Sequence, residues 1–76
     1  MNQELKGVVE LNSIEIGKKL KALRGSKSHK EVAEALKLGA STISMYENCE
    51  RIPRDGIKIK IAEYYNKTVQ EIFYDN

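Results

Sequence analysis

Cysteine and histidine occur once each, as Cys49 and His29, and the chain has no glycine-rich phosphate-binding run. A single cysteine cannot close an internal disulfide, so the core, with or without a second subunit, has to hold the fold. One imidazole and one thiol on either side of a helix are too few for a metal cluster and form no recognisable nucleophile–base pair. No feature of the sequence supports a redox-sensing role for Cys49. The expectation is a protein that is not an enzyme and holds no metal or cofactor. Long apolar runs are also missing. Nothing approaches the roughly 18 apolar residues of a membrane helix, and the first residues lack the basic-then-apolar order of a signal peptide. A cytoplasmic protein with no membrane partner is expected.

What is present suits one small domain. The 76 residues are 41% apolar, enough for one compact core, and 32% charged. The net charge of +2 is unevenly spread: residues 13–54 carry nine Lys or Arg against five acids, while both flanks are slightly acidic. Basic charge gathered on the central segment favours a polyanion such as nucleic acid.

Residues 1–12, MNQELKGVVELN, alternate rather than follow helical spacing, and predict an arm or a short strand from about Leu5 to Leu11. A lone strand needs a partner edge, most simply the same segment of another subunit. Asn12 and Glu15 have the spacing of a capping box, and Ile16, Leu20 and Leu23 form the apolar stripe of the helix that follows, which Gly25 ends. Ser28 and Glu31 repeat the device for a second helix reaching about Leu36, with Val32, Ala33 and Leu36 on one face. A third helix is expected from about Ala40 to Asn48. At 100° per residue Ile43 and Tyr46 point inward together. Ser41 and Asn48 then lie opposite, flanked by Ser44 and Met45, with Ala40 leading and Thr42 to one side. A narrow helix face of small side chains fits a DNA major groove.

Val32, Ala33, Leu36, Leu38, Ile43 and Tyr46 occupy the apolar positions of a helix-turn-helix, and this pattern resembles the phage-repressor and Cro-like (XRE) family. IGKKLKALR resembles the family's first helix, STISMYEN its recognition helix, and ERIPRD with IKIAEYY and NKTVQEIF its last two. The resemblance spans residues 14–74. It implies an all-α fold, a compact five-helix lambda-repressor-like domain over residues 13–76 preceded by the arm or strand of residues 1–12, with the helix-turn-helix at residues 28–48. It also implies a cytoplasmic, bacterial or phage-encoded regulator of transcription that binds double-stranded DNA as a homodimer. The third helix of such proteins enters the major groove, with half-sites about 34 Å apart. Repression is the expected outcome.

The departures from the family pattern bear on readout. Lys37 stands where a turn glycine is usual, Gly39 where a Ser or Thr cap is common, Ala40 where many relatives place a long polar base-reader, and Cys49 where a glycine often ends the recognition helix. His29 replaces a glutamine that meets phosphate in relatives. Base readout therefore falls to Ala40, Ser41, Ser44 and Met45, none of which offers a bidentate partner to guanine or adenine, and a modest specificity ratio assisted by DNA shape is expected. Phosphate contacts are assigned to Lys27, Ser28, His29, Lys37, Thr42, Asn48, Arg51 and Arg54. Glu47 is expected to pair with Arg24. The absence of long base-readers also admits a second function, a protein-interaction module of the same fold such as an antitoxin or anti-repressor target, with a protein antagonist as partner.

One segment reads two ways. Ile57, Lys58, Ile59, Lys60 and Ile61 alternate like a strand, whereas the resemblance makes them a helix capped by Asp55, with Ile57, Ile61 and Tyr64 or Tyr65 inward and Ile59 near a subunit contact. Helix is the expectation. Thr68 and Glu71 form a third capping box for a last helix that buries Val69, Ile72 and Phe73, and the aromatic C-terminal end is a second candidate for the dimer surface.

Overall fold

The computed structural model describes residues 9–75. Five helices follow in chain order: α1 (Ser13–Arg24), α2 (His29–Leu36), α3 (Ala40–Glu47), α4 (Asp55–Tyr65) and α5 (Val69–Phe73). Two short strands, β1 (Val9–Glu10) and β2 (Tyr74–Asp75), frame them.

The caps explain where most helices begin. The side chains of Asn12, Ser28 and Thr68 accept from the backbone N–H of Glu15, Glu31 and Glu71, respectively. At α5 the box is reciprocal, because Glu71 also accepts from the Thr68 N–H, which holds the Glu71 carboxyl below its usual range. Helix α4 differs from expectation. Its N-cap is Arg54, with no side-chain hydrogen bond, and Asp55 is the first helical residue. There the carboxylate acts on the helix dipole rather than on an orphan amide.

Two helix ends carry unexpected residues. α2 ends in Lys37 at φ 60°, with the Leu38 N–H donating to Ala33 O and the Lys37 N–H to Glu34 O. α3 is followed by Cys49 at φ 69°, with the Glu50 N–H donating to Met45 O and the Cys49 N–H to Tyr46 O. Both are glycine-type terminations made without glycine, each at a cost of about 1 kcal/mol. The turn between α2 and α3 is not rebuilt around Gly39, which stays extended at φ −82°.

The core joins Ile16, Leu20, Val32, Ala33, Leu36, Ile43, Tyr46, Ile61, Ala62, Ile72 and Phe73, drawn from all five helices. α3 packs chiefly against α2 and α1, and α4 against α5 and α2. Gly17 on α1 makes the closest approach: a Cβ there would stand 2.5 Å from Glu47 O and 3.0 Å from Cys49 Sγ. Only a bare backbone lets α1 run so close to the end of α3.

The strand is present within the described residues but its partner differs from expectation. β1 pairs antiparallel with β2 of the same chain, Val9 opposite Asp75 and Glu10 opposite Tyr74, and the Leu11 N–H donates to Phe73 O at 2.9 Å. Residues 5–8 of the expected strand lie outside the described residues. Lys58 of α4 fastens this ladder from below. It is only 4% exposed, its Nζ donates to Glu10 Oε2 and to the Tyr74 hydroxyl, and it lies over the Phe73 and Tyr74 rings. Burial lowers the Lys58 pKa, but those two hydrogen bonds outweigh it and hold the ammonium above its usual value.

Among the described residues no helix is long and apolar enough to cross a membrane.

Candidate nucleic-acid interface

The helix-turn-helix is built from the back of α3 outward. Ile43 and Tyr46 are buried in the core, as the 100° spacing predicts, and Glu47 beside them is 8% exposed. The opposite side carries Ala40 and Ser41, both exposed, with Ser44 and Met45 half-buried at its margin. The four expected base-readers are thus brought together on one helix. The helix is one residue shorter than expected: Asn48 is its C-cap, and its side-chain amide donates to Ser44 Oγ at 3.2 Å. The Ser44 hydroxyl keeps its own hydrogen for another acceptor.

The start of α3 has no side-chain cap, because Gly39 provides none. Its first-turn amides are therefore without a side-chain acceptor.

The expected phosphate contacts flank α3 in the chain, except Thr42, which lies within it. Lys27 and Ser28 lead into α2 and are exposed; the Ser28 oxygen already accepts from the Glu31 N–H, which leaves its hydroxyl hydrogen available. Lys37 is exposed in the turn, Thr42 is half-buried in the first turn of α3, and Asn48 is exposed at its end. Arg51 and Arg54 are exposed on either side of Pro53, which is buried and pins the loop between them.

His29 sits differently from the others. Its Nε2 lies 3.0 Å from Glu47 Oε1, so one edge of the ring is occupied by a buried carboxylate, while 38% of the side chain remains exposed. Glu47 also accepts from Arg24, Nε at 2.7 Å and Nη2 at 3.0 Å. Arg24 in turn donates through Nη1 to Lys27 O at 2.6 Å. One carboxylate thereby ties the last residue of α1 and the first of α2 to the last of α3. Burial alone would raise the Glu47 pKa, but the hydrogen bonds from Arg24 and His29 outweigh it and hold the carboxyl below its usual range. The hydrogen bonds that Arg24 donates to Glu47 in turn raise the Arg24 pKa. Behind this cluster Tyr65 of α4 is pushed up to about 12, by burial first and by the nearby Glu47 charge second.

The Arg24–Glu47 pair agrees with expectation. The His29–Glu47 bond was not legible, since the residues are 18 positions apart and no local spacing signals the contact.

The arrangement presents a helix with a buried back and a small-residue front, braced by an ionic clamp and flanked by exposed basic and hydroxyl side chains. Comparison with curated proteins and with solved structures gives no significant match. A family model described as helix-turn-helix matches residues 18–72, well over half of the chain. The chain belongs to the phage-repressor and Cro-like (XRE) family of helix-turn-helix DNA-binding regulators.

Proposed function

We propose that this regulator is a sequence-specific repressor that binds double-stranded DNA as a homodimer, each subunit laying α3 in a major groove of a pseudo-palindromic site. The observation that supports this most directly is the two-sidedness of α3: Ile43, Tyr46 and Glu47 are buried while Ala40 and Ser41 stand exposed at its leading edge. In this mode Ala40, Ser41, Ser44 and Met45 meet base edges, through hydroxyl hydrogen bonds and apolar contact with thymine methyls. Lys27, Ser28, His29, Lys37, Thr42, Asn48, Arg51 and Arg54 hold the backbone on either side. Ile59 is 52% exposed on α4, and a subunit contact would bury it. The N-terminal and C-terminal candidates for that contact adjoin each other, because β1 and β2 pair.

Selection from a randomised duplex pool at two salt concentrations tests the proposal. Enrichment of a palindrome, with affinity falling steeply as salt rises, is expected. Only weak, sequence-blind binding at low salt would refute it.

The lack of any long polar side chain at the four reading positions favours a second reading, a protein-interaction module in which DNA binding is secondary. In that case a protein antagonist, rather than an operator, is the partner of this face. Sequence-blind binding in the same selection is its expected result.

A further inference from the structure

His29 is the only histidine of the chain and the first residue of α2. Its Nε2 faces Glu47 Oε1 at 3.0 Å, an oxygen that also accepts from Arg24 Nη2. An ionised carboxylate has no hydrogen to give. Nε2 must therefore carry the hydrogen in either charge state of the ring, because the other tautomer would set a lone pair against a carboxylate oxygen. The tautomer is fixed, and with it the chemistry of the other nitrogen. In the neutral ring Nδ1 is a bare acceptor; only the imidazolium presents an N–H there.

No described residue bonds Nδ1, and the ring is partly exposed. The charged and titratable groups around it are Glu47 from α3 and Arg24 from α1, with Tyr65 of α4 beside Glu47 at a small void. On its own segment Lys27 and Lys30 are exposed close to His29 in the chain, with Glu31 and Glu34 exposed further along α2. A phosphate oxygen, like a carboxylate oxygen, only accepts. A neutral His29 would therefore meet a DNA phosphate lone pair to lone pair.

We propose that His29 is a proton-linked phosphate contact: as DNA docks, Nδ1 takes up a proton from solvent and donates it in a hydrogen bond to a backbone phosphate, while the Nε2–H stays on Glu47. The inference rests on the DNA-binding mode proposed above. One N–H bond forms, the phosphate keeps its charge, and the imidazolium lies between two anions. By linkage, affinity falls as pH rises through the range in which the imidazole loses its charge, by up to about tenfold per pH unit for each subunit bound. The single histidine makes the effect separable from other titrations.

The test measures affinity of the full chain and of His29→Gln between about pH 6 and 8 at constant salt. The probe is the enriched duplex, or random-sequence duplex at low salt if none is enriched. A glutamine amide donates at any pH, so the variant is expected to bind without pH dependence while the natural chain weakens as pH rises. Calorimetry of the natural chain in two buffers of different ionisation enthalpy counts the protons taken up and needs no variant. Net uptake supports the proposal. Equal pH slopes in the two proteins, or no uptake by the natural chain, would overturn it while leaving DNA binding intact. Absence of duplex binding by both proteins at every pH would overturn the binding mode, and the linkage with it.

Discussion

Arg24 Nε donates to Glu47 Oε2 at 2.7 Å and Arg24 Nη2 to Glu47 Oε1 at 3.0 Å, so the last residue of α1 grips the last residue of α3 through a bidentate bond. The pair sets the seat of α3, because Glu47 follows directly on Tyr46, its last core anchor. Bidentate geometry and burial on the carboxylate side place it well above the worth of an exposed ion pair.

Glu47→Gln should therefore destabilise the domain by about 2–3 kcal/mol near neutral pH, because Arg24 is left half-buried without its counter-charge. The pH dependence has a definite sign. The folded pKa of Glu47 lies below the unfolded value of about 4.3. Its contribution is present above that unfolded value and is lost as pH falls through the folded one. Thermal melts taken from about pH 6 to 3 should show a steep acid limb that Glu47→Gln flattens. An equally steep limb in the variant would assign the acid sensitivity to other carboxylates.

Gly17→Ala should cost about 1–3 kcal/mol, the usual range for overpacking, although alanine is the better helix former. The added methyl would meet the Glu47 carbonyl oxygen at 2.5 Å, and that oxygen belongs to backbone that cannot rotate away. Chemical denaturation measures the loss. A gain in stability would mean that α1 and α3 sit further apart than the structure places them.

Much of the fold is legible from local spacing, and the exceptions share one cause. Ile43 and Tyr46 announce their burial through helical periodicity, and Asn12, Ser28 and Thr68 announce helix starts through chemistry that acts over three residues. Lys58 could not be read in this way. Residues 57, 58, 61, 62, 64 and 65 form the inward side of α4, so the I-K-I-K-I alternation comes from a helix that buries a lysine. The groups that make that burial tolerable, Glu10 and Tyr74, lie 48 and 16 positions away. Gly17 and the His29–Glu47 bond are likewise tertiary facts. Lys37 and Cys49 show the converse: local preference asks for glycine, and packing on both sides of the turn holds the left-handed backbone regardless. On α3 the exposure of Ala40 and Ser41 opposite buried Ile43 and Tyr46 was legible, because helix phase alone assigns it.

The Lys58 cluster predicts an order of effects. Lys58→Met keeps a flexible apolar chain against Phe73 and Tyr74 and returns the half-exposed Glu10 to water, so its cost should stay within about 1 kcal/mol. Glu10→Gln keeps an amide oxygen beside the ammonium but removes the adjoining counter-charge from a buried cation, and should cost more, about 1–2 kcal/mol. Urea denaturation ranks the two, and amide exchange at Leu11, which donates to Phe73 O, reports whether the ladder opens. The reverse order would show that the lysine contributes chiefly through its charge.

Positioning and readout should separate by mutation. Arg51 and Arg54 are exposed on a loop pinned by buried Pro53, and neither side chain has a hydrogen-bond partner among the described residues. Arg51→Ala and Arg54→Ala should each weaken binding to all sequences alike and reduce the slope of log affinity against log salt by about one per subunit, the signature of one lost phosphate contact. Ser41 is exposed at the leading edge of α3 with its hydroxyl free to meet a base, so Ser41→Ala should change the preferred site by about 1–3 kcal/mol at one position and leave the salt slope unchanged. Repeating the duplex selection with each variant distinguishes the two behaviours. Unchanged preference in Ser41→Ala would shift the readout toward Ser44 and Met45, whose side chains stand half-buried at the margin of the same face.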